Sequence, residues 1–219
     1  LNNEFCNKYL EQINGPFAGI NLTRINSEEE FYHKQYLDSI KPFEELDSLK
    51  KIYSKNNLHV DIGFGGGFPL LPLASEYKDK TYLGFEARGK KSKVVNQIAE
   101  AMDLKNVKTF HQRFENVYFD RDAVVTFKAV STIENLLPNF ITDKQLYVVF
   151  YKGPNFYELE DLDSLSSDWE IVDEVLVDVP NTDGRMIVVL KNTNVLRGTL
   201  VRQAKKKSNK NLVSLSEFL

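Results

Sequence analysis

The run Asp61-Ile62-Gly63-Phe64-Gly65-Gly66-Gly67-Phe68-Pro69 sets four glycines between a short apolar strand-like segment and a helix-period segment. Glycines there let the backbone turn with positive φ and let a ligand reach main-chain amides at a helix N-terminus. That is the chemistry of a nucleotide-type ligand. Glu86 ends the next apolar run, where a carboxylate can accept both hydroxyls of a ribose. A ribose acid serves NAD and S-adenosylmethionine equally well. Asp61, two residues ahead of the first glycine, is unhelpful beside the pyrophosphate of NAD and useful near the cationic amino-acid end of S-adenosylmethionine, so the methyl donor is the favoured ligand. The blander readings are a flexible turn for the glycines and a solvated carboxylate for Glu86.

These residues need a scaffold, and the periodicity supplies one. Residues 4–54 read as helical, with Phe5, Cys6, Tyr9, Leu10 and Ile13 on one face and Ser27 with Glu30 as a capping box. From Leu58 onward, apolar runs at 59–62, 82–85, 107–110, 123–127 and 146–151 alternate with helix-period segments such as Val94, Val95, Ile98, Ala99 and Met102. Runs without polar alternation fit strands covered on both faces, so an α/β fold with a mainly parallel sheet is expected. The runs 170–179 and 186–190 are joined by Pro180-Asn181-Thr182-Asp183-Gly184, which is turn chemistry and implies a closing antiparallel pair.

Composition narrows the function classes. With 219 residues, 42% hydrophobic and 27% charged, the chain is an ordinary folded protein of one large domain with at most a small attachment. One cysteine, Cys6, excludes an internal disulfide, and His33, His59 and His111 do not fall at ligand spacing, so no metal is expected. His33 and His111 read as structural or surface groups. No apolar stretch approaches a membrane span, and the polar start Leu1-Asn2-Asn3-Glu4 lacks the form of a secretory leader, which places the chain in the cytoplasm with no membrane partner. Because residue 1 is Leu rather than Met, a few natural residues are expected ahead of it. The net charge of −3 is uneven: residues 185–219 hold eight Lys or Arg against one acid, Glu217. That basic arm is either a solvated tail or a phosphate-seeking segment.

The string from Asp61 to Ala74, with Phe68-Pro69 and Pro72-Leu73-Ala74 after the glycines, resembles the signature of the RsmG (GidB) family, the bacterial 16S rRNA guanine-N7 methyltransferases. Further blocks agree in order: Asn21-Leu22-Thr23, Leu37-Asp38-Ser39, the basic pair after Glu86 at Lys90-Lys91, Asn106-Val107, Arg113-Phe114-Glu115, Lys152-Gly153 and Arg185 to Val189. The resemblance covers about residues 5 to 191.

It implies a seven-stranded, doubly wound, Rossmann-like class I methyltransferase sheet with a C-terminal antiparallel hairpin. The implied organisation is a helical cap over 1–54, a donor-binding domain over 55–191 and a basic arm over 192–219. S-adenosylmethionine is the implied cofactor, and a guanine of 16S rRNA, free or in the small ribosomal subunit, the implied acceptor. Carried over by position, Gly63 and Phe68 line the methionine side of the donor, Asp61 and Gly65 support the loop, Glu86 holds the ribose, and Phe114 and Glu115 border the adenine. Lys128 falls near both the donor and the incoming guanine. Guanine N7 already carries a lone pair, so no general base is expected and the rate gain rests on positioning and desolvation. A cation beside the product purine opposes its positive charge, so Lys128, Lys152 and Arg185 are cast as RNA-positioning groups. Arg88, Lys90, Lys91, Arg197, Arg202, Lys205, Lys206 and Lys207 are the remaining expected RNA contacts, and the apolar residues beyond that last run are expected to dock on the body.

Four positions depart from the family pattern. Leu70 replaces a glycine, Gln35 a histidine, and Lys128 and Lys91 replace arginines; loss of the planar guanidinium weakens bidentate contacts. These departures keep two rivals open, a methyltransferase with another substrate and a non-catalytic ribosome-associated binder, with an NAD oxidoreductase further off. No heptad seam is present, so a monomer is the default.

Overall fold

The computed structural model describes residues 3–25, 27–193 and 212–219. A helical cap comes first, with α1 (Glu4–Asn14), then α2 (Glu28–Phe31), which runs through one π-helical turn (Tyr32–Leu37) into α3 (Asp38–Glu45), and α4 (Asp47–Lys55). Asn3 caps α1 by accepting the Cys6 N–H at 3.0 Å. Ser27 caps α2 by accepting the Glu30 N–H, but the Glu30 carboxylate pairs with Lys34, so the expected capping box is half made. The face predicted for α1 is the buried one: Phe5, Cys6 and Tyr9 are sealed, and each large side chain so buried contributes about 1.5–3 kcal/mol.

The main sheet follows. In chain order the elements are β1 (Leu58–Ile62), α5 (Leu70–Glu76), β2 (Thr81–Glu86), α6 (Gly89–Ala101), β3 (Val107–His111), β4 (Val117–Phe119) and β5 (Ala123–Lys128). After them come α7 (Ile133–Leu136), β6 (Ile141–Thr142), β7 (Leu146–Lys152), α8 (Phe156–Leu159), β8 (Trp169–Val177) and β9 (Arg185–Asn192). The seven strands lie in the order β3-β2-β1-β5-β7-β9-β8. The first five are parallel, and β9 runs antiparallel to both β7 and β8. The antiparallel ending read from the Pro180–Gly184 segment is therefore present, with Asn181 and Gly184 supplying the positive φ of the turn.

Strand order reverses between β1 and β5, and the carboxyl ends of the strands flanking that switch point form the ligand crevice of a doubly wound sheet. One face of the sheet packs on α5, α6 and the cap, and the other on a second core that includes Phe114, Phe119 and Leu215. That second core includes something the periodicity did not show, a three-stranded parallel sheet, β10-β4-β6, where β10 is Val213–Ser214. Strands of two or three residues carry too few side chains for a period to register. The apolar C-terminal end does dock: Leu215 is buried, and the Phe218 ring sits 5.0 Å from Phe85 and 4.8 Å from Phe110. The basic positions between these ends, Arg197, Arg202, Lys205, Lys206 and Lys207, lie outside the described residues. Among the described residues no helix is long and apolar enough to cross a membrane, and no group of three or more His, Cys, Asp or Glu could hold a metal ion.

Candidate donor-binding site

The glycine loop leaves β1 with Gly63, Gly65 and Gly67 all at positive φ. Two of its glycines are dictated by close approach as well. A Cβ on Gly63 would stand 2.8 Å from a Val130 methyl, and one on Gly66 would stand 2.6 Å from the Leu22 carbonyl oxygen. The cap thus reaches the loop directly. Tyr9, from α1, donates its hydroxyl to the Gly66 carbonyl at 2.6 Å, and its ring lies 5.1 Å from Phe68.

Glu86 closes the loop from the other side. One carboxylate oxygen accepts the Gly65 N–H at 3.1 Å and the other accepts the Arg88 N–H at 2.9 Å. Each carboxylate oxygen has a second lone pair, so Glu86 stays able to receive hydroxyls while it fixes the loop. Around these groups lies a cavity of about 690 Å³, within the range of small-molecule sites. Gly63, Gly65, Phe68, Glu86, Phe114, Glu115, Lys128, Arg88 and Lys91 all line it. The residues present fit the donor: a cradle that a Cβ would fill, an acid at the end of β2, and the aromatic Phe114 on the β3 side.

Several expected residues are placed otherwise. Asp61 does not reach the cavity. It is fully buried beneath the loop, where it accepts the Leu70 N–H at 3.0 Å and the Thr126 hydroxyl at 2.8 Å, so it braces the turn instead of facing the cationic end of a donor. Burial pushes its carboxyl up to about 7, against the lowering effect of those two hydrogen bonds and of the Lys128 charge. Lys90 lies in a neighbouring hollow.

The three cations cast as phosphate-facing are neutralised within the protein. Lys128 pairs with Asp38 at 2.6 Å, and Arg185 grips the same carboxylate with two donors at 2.8 and 3.1 Å. Lys152 pairs with Glu160 at 2.5 Å and donates to the Ser131 carbonyl. Asp38 is fully buried, and burial alone would raise its pKa. The charges of Lys128 and Arg185 outweigh that and hold it below the ordinary carboxylate value. Of the three cations, Lys128 alone lines the cavity.

The departures also acquire places. Leu70 is fully buried and packs toward Gly84, where a Cβ would meet a Leu70 methyl at 2.7 Å. It is a core residue, not a cavity residue. Gln35, on the π-helical turn, lines the cavity, as do Leu22, Val130, Ser131, Asn135 and Asn139, which residue spacing did not single out. Gln35 was marked in the sequence only as a departure from the family pattern; the π-turn that carries it, a feature frequent at functional sites, leaves no mark in hydrophobic periodicity. Ala129, at φ 57°, also lines the cavity and turns the chain off β5.

A ribosomal RNA small subunit methyltransferase G from Petrotoga mobilis is 32% identical over 168 residues, spanning 72% of this chain and 69% of the relative. The corresponding Malacoplasma penetrans protein is 28% identical over 190 residues, spanning 84% and 77%. A Clostridium perfringens protein of the same name is 37% identical over 97 residues, 44% of this chain, and the match spans 38% of that relative's length. Among solved structures, a mutant of MtNAS in complex with S-adenosylmethionine superposes with a TM-score of 0.54 at 13% identity, covering 86% of this chain and 72% of that one. That likeness shows the fold: a Rossmann-like class I methyltransferase sheet. The family described as GidB, rRNA small subunit methyltransferase G, matches residues 2–187, and the chain belongs to it.

Proposed function

We propose that the protein transfers a methyl group from S-adenosylmethionine to N7 of a guanine in 16S ribosomal RNA. The observation that carries the reading is the Gly65–Glu86 hydrogen bond at the mouth of the glycine loop, in a chain of this family. It couples the acid suited to a ribose with the backbone suited to the methionine end.

When bound, the donor supplies an electrophilic sulfonium methyl. Glu86 takes the ribose hydroxyls, Gly63 and Phe68 line the methionine side, and Phe114 and Glu115 border the adenine. Lys128, held by Asp38, sets the wall where the acceptor enters. Its charge is offset by that carboxylate, which reduces its repulsion toward the cationic product purine. Guanine N7 carries a lone pair and no proton, so no side chain acts as general base and no metal is required; in-line positioning and exclusion of water supply the rate. The working unit in this reading is a monomer, and an rRNA acceptor supports action in the cytoplasm.

Calorimetric titration of the purified protein with S-adenosylmethionine and separately with NAD tests the donor. Saturable binding of the former alone, followed by 7-methylguanosine in 16S rRNA from small subunits treated with protein and donor, is expected. Binding of NAD in its place, or no new 7-methylguanosine, would overturn the reading.

A further inference from the structure

Beside the donor cavity lies a second hollow of about 560 Å³, walled by the 19–24 turn of the cap and by the start of α6. Its polar lining is Asn21, Thr23, Arg24, Arg88, Lys90 and Lys91, with no carboxylate among its walls. Resting on the functional reading above, we infer that this hollow binds the phosphodiester backbone of the RNA strand flanking the acceptor guanine. Arg24 and Asn21 serve as contacts there that the basic runs of the sequence did not single out.

Charge is the first argument. Residues 1–184 carry more acid than base, 30 against 20, so a hollow with four cations and no acid runs against the local composition. Acids stand nearby in the chain at Glu28, Glu29 and Glu30, yet Glu30 is engaged by Lys34, and none of Arg24, Arg88, Lys90 or Lys91 makes an ion pair among the described residues. Four cations without an ion-pair partner among the described residues repel one another on one concave surface, and an anion seated there relieves that repulsion. Phosphates spaced along a strand do so in series, and such contacts position a nucleic acid without reading its sequence.

Placement is the second argument. The hollow and the donor cavity share Leu22, Arg88 and Lys91 as walls, so a strand whose base enters one runs its backbone over the other. The Leu22 carbonyl is wedged against Gly66, which fixes Arg24, two residues on, relative to the donor loop. Thr23 Oγ1 accepts the Ile25 N–H at 3.1 Å, and its own proton remains available to a phosphate oxygen. A preorganised set of donors costs little ordering on binding.

Arg24 and Lys90 line the hollow and not the donor cavity, so Arg24→Gln with Lys90→Gln isolates it. Affinity for a 16S rRNA transcript is measured across salt, beside a charge-matched control, Lys51→Gln with Lys55→Gln, on the exposed face of α4. The log–log salt slope is expected to fall by about 0.7 for each cation removed. The affinity loss between about 50 and 200 mM salt then shrinks roughly sevenfold, while the control slope and the affinity for S-adenosylmethionine stay unchanged. An unaltered slope, or an equal fall in the control, overturns the hollow as the phosphate site with the methyltransferase reading intact. If the wild-type protein binds no RNA, that reading falls and this one with it.

Discussion

His59 and Asp61 project from the same face of β1 and share one hydroxyl, with Thr126 Oγ1 standing 2.9 Å from His59 Nε2 and 2.8 Å from Asp61 Oδ1. The row continues from His59 Nδ1 to the Tyr53 hydroxyl at 2.9 Å, to the Tyr82 hydroxyl at 2.6 Å and to the Leu73 carbonyl at 3.0 Å. With Asp61 ionised, Thr126, His59, Tyr53 and Tyr82 bring four protons to these five contacts. Protonating Asp61 supplies the fifth, so that Asp61 donates to Thr126, Thr126 to His59, His59 to Tyr53, Tyr53 to Tyr82 and Tyr82 to the Leu73 carbonyl. Burial raises the Asp61 carboxyl to about 7, with the nearby Glu86 charge adding to it, and burial with the Lys80 charge lowers His59 to about 3. From about pH 4 to 6.5 the native state therefore holds one proton on Asp61 and the unfolded state holds one on His59, so this pair adds no pH slope. Above about 6.5 the unfolded state binds fewer protons and stability falls until about pH 7; below about 4 it binds more, and stability falls again. Denaturant melts of wild type and Asp61→Asn check this. The difference should move in favour of Asn between about pH 4 and 7, by on the order of 1.4 kcal/mol per unit, and a constant difference would refute a neutral Asp61.

Glu86→Gln keeps the shape of the side chain and removes its charge, leaving one acceptor oxygen where two now hold Gly65 and Arg88. Hydrogen bonds to a charged group contribute about 1.5–3 kcal/mol, so donor affinity should drop about 10- to 100-fold by calorimetry. An unchanged affinity would remove Glu86 from the donor site.

Asp38 joins the cap to the ends of β5 and β9 through Lys128 and Arg185. Removing one partner of a buried charge cluster costs about 3–5 kcal/mol, so Asp38→Ala should lose that much stability in chemical denaturation, and Asp38→Asn somewhat less. Lys128→Gln should leave the salt slope of RNA binding unchanged, because that charge is already met inside the protein. A fall in slope would return Lys128 to the phosphate contacts.

Gly66→Ala forces a Cβ to within 2.6 Å of the Leu22 carbonyl, a backbone atom that yields only if the cap shifts. A cost of about 1–3 kcal/mol is expected, together with weaker donor binding. Tyr9→Phe removes the hydroxyl on the Gly66 carbonyl and should cost about 1 kcal/mol with a smaller effect in the same direction. Full donor affinity in both variants would show that the cap does not set the loop.

β5 and β7 were legible as nearly continuous apolar runs, whereas β1 is sealed at all five positions although its apolar residues alternate with His59 and Asp61. The positions of Gly63 and Gly65 were legible because positive φ restricts the residue type, and Glu86 was legible as the acid that ends β2. Asp61 was read both as a group near the cationic end of a donor and as a support for the loop, and spacing along a strand does not show that Leu70 and Thr126 claim its oxygens. Lys128, Lys152 and Arg185 were read without their ion-pair partners: Asp38 is distant in sequence from Lys128 and Arg185, Glu160 lies just past α8 from Lys152, and charge counting along the chain does not reveal a pairing made in space. Leu22 reaches the cavity from the 19–24 turn and Asn135 from the four-residue α7, segments too short to carry a periodic signature.

The seam between cap and loop has a consequence for the order of events in synthesis. Phe5, Tyr9, Phe31 and Tyr36 are made before Phe68, the sheet-side ring against which Tyr9 and Phe31 pack. N-terminal segments emerge first, so the nascent cap carries an aromatic surface without its final partner until the glycine loop has followed. The loop in turn has the Tyr9 hydroxyl on its Gly66 carbonyl and the Leu22 carbonyl packed against Gly66. Loop and cap therefore set together, and late. A ligand that binds the set loop favours the docked cap by mass action, so the donor acts on the protein as a folding cofactor as well as a reactant.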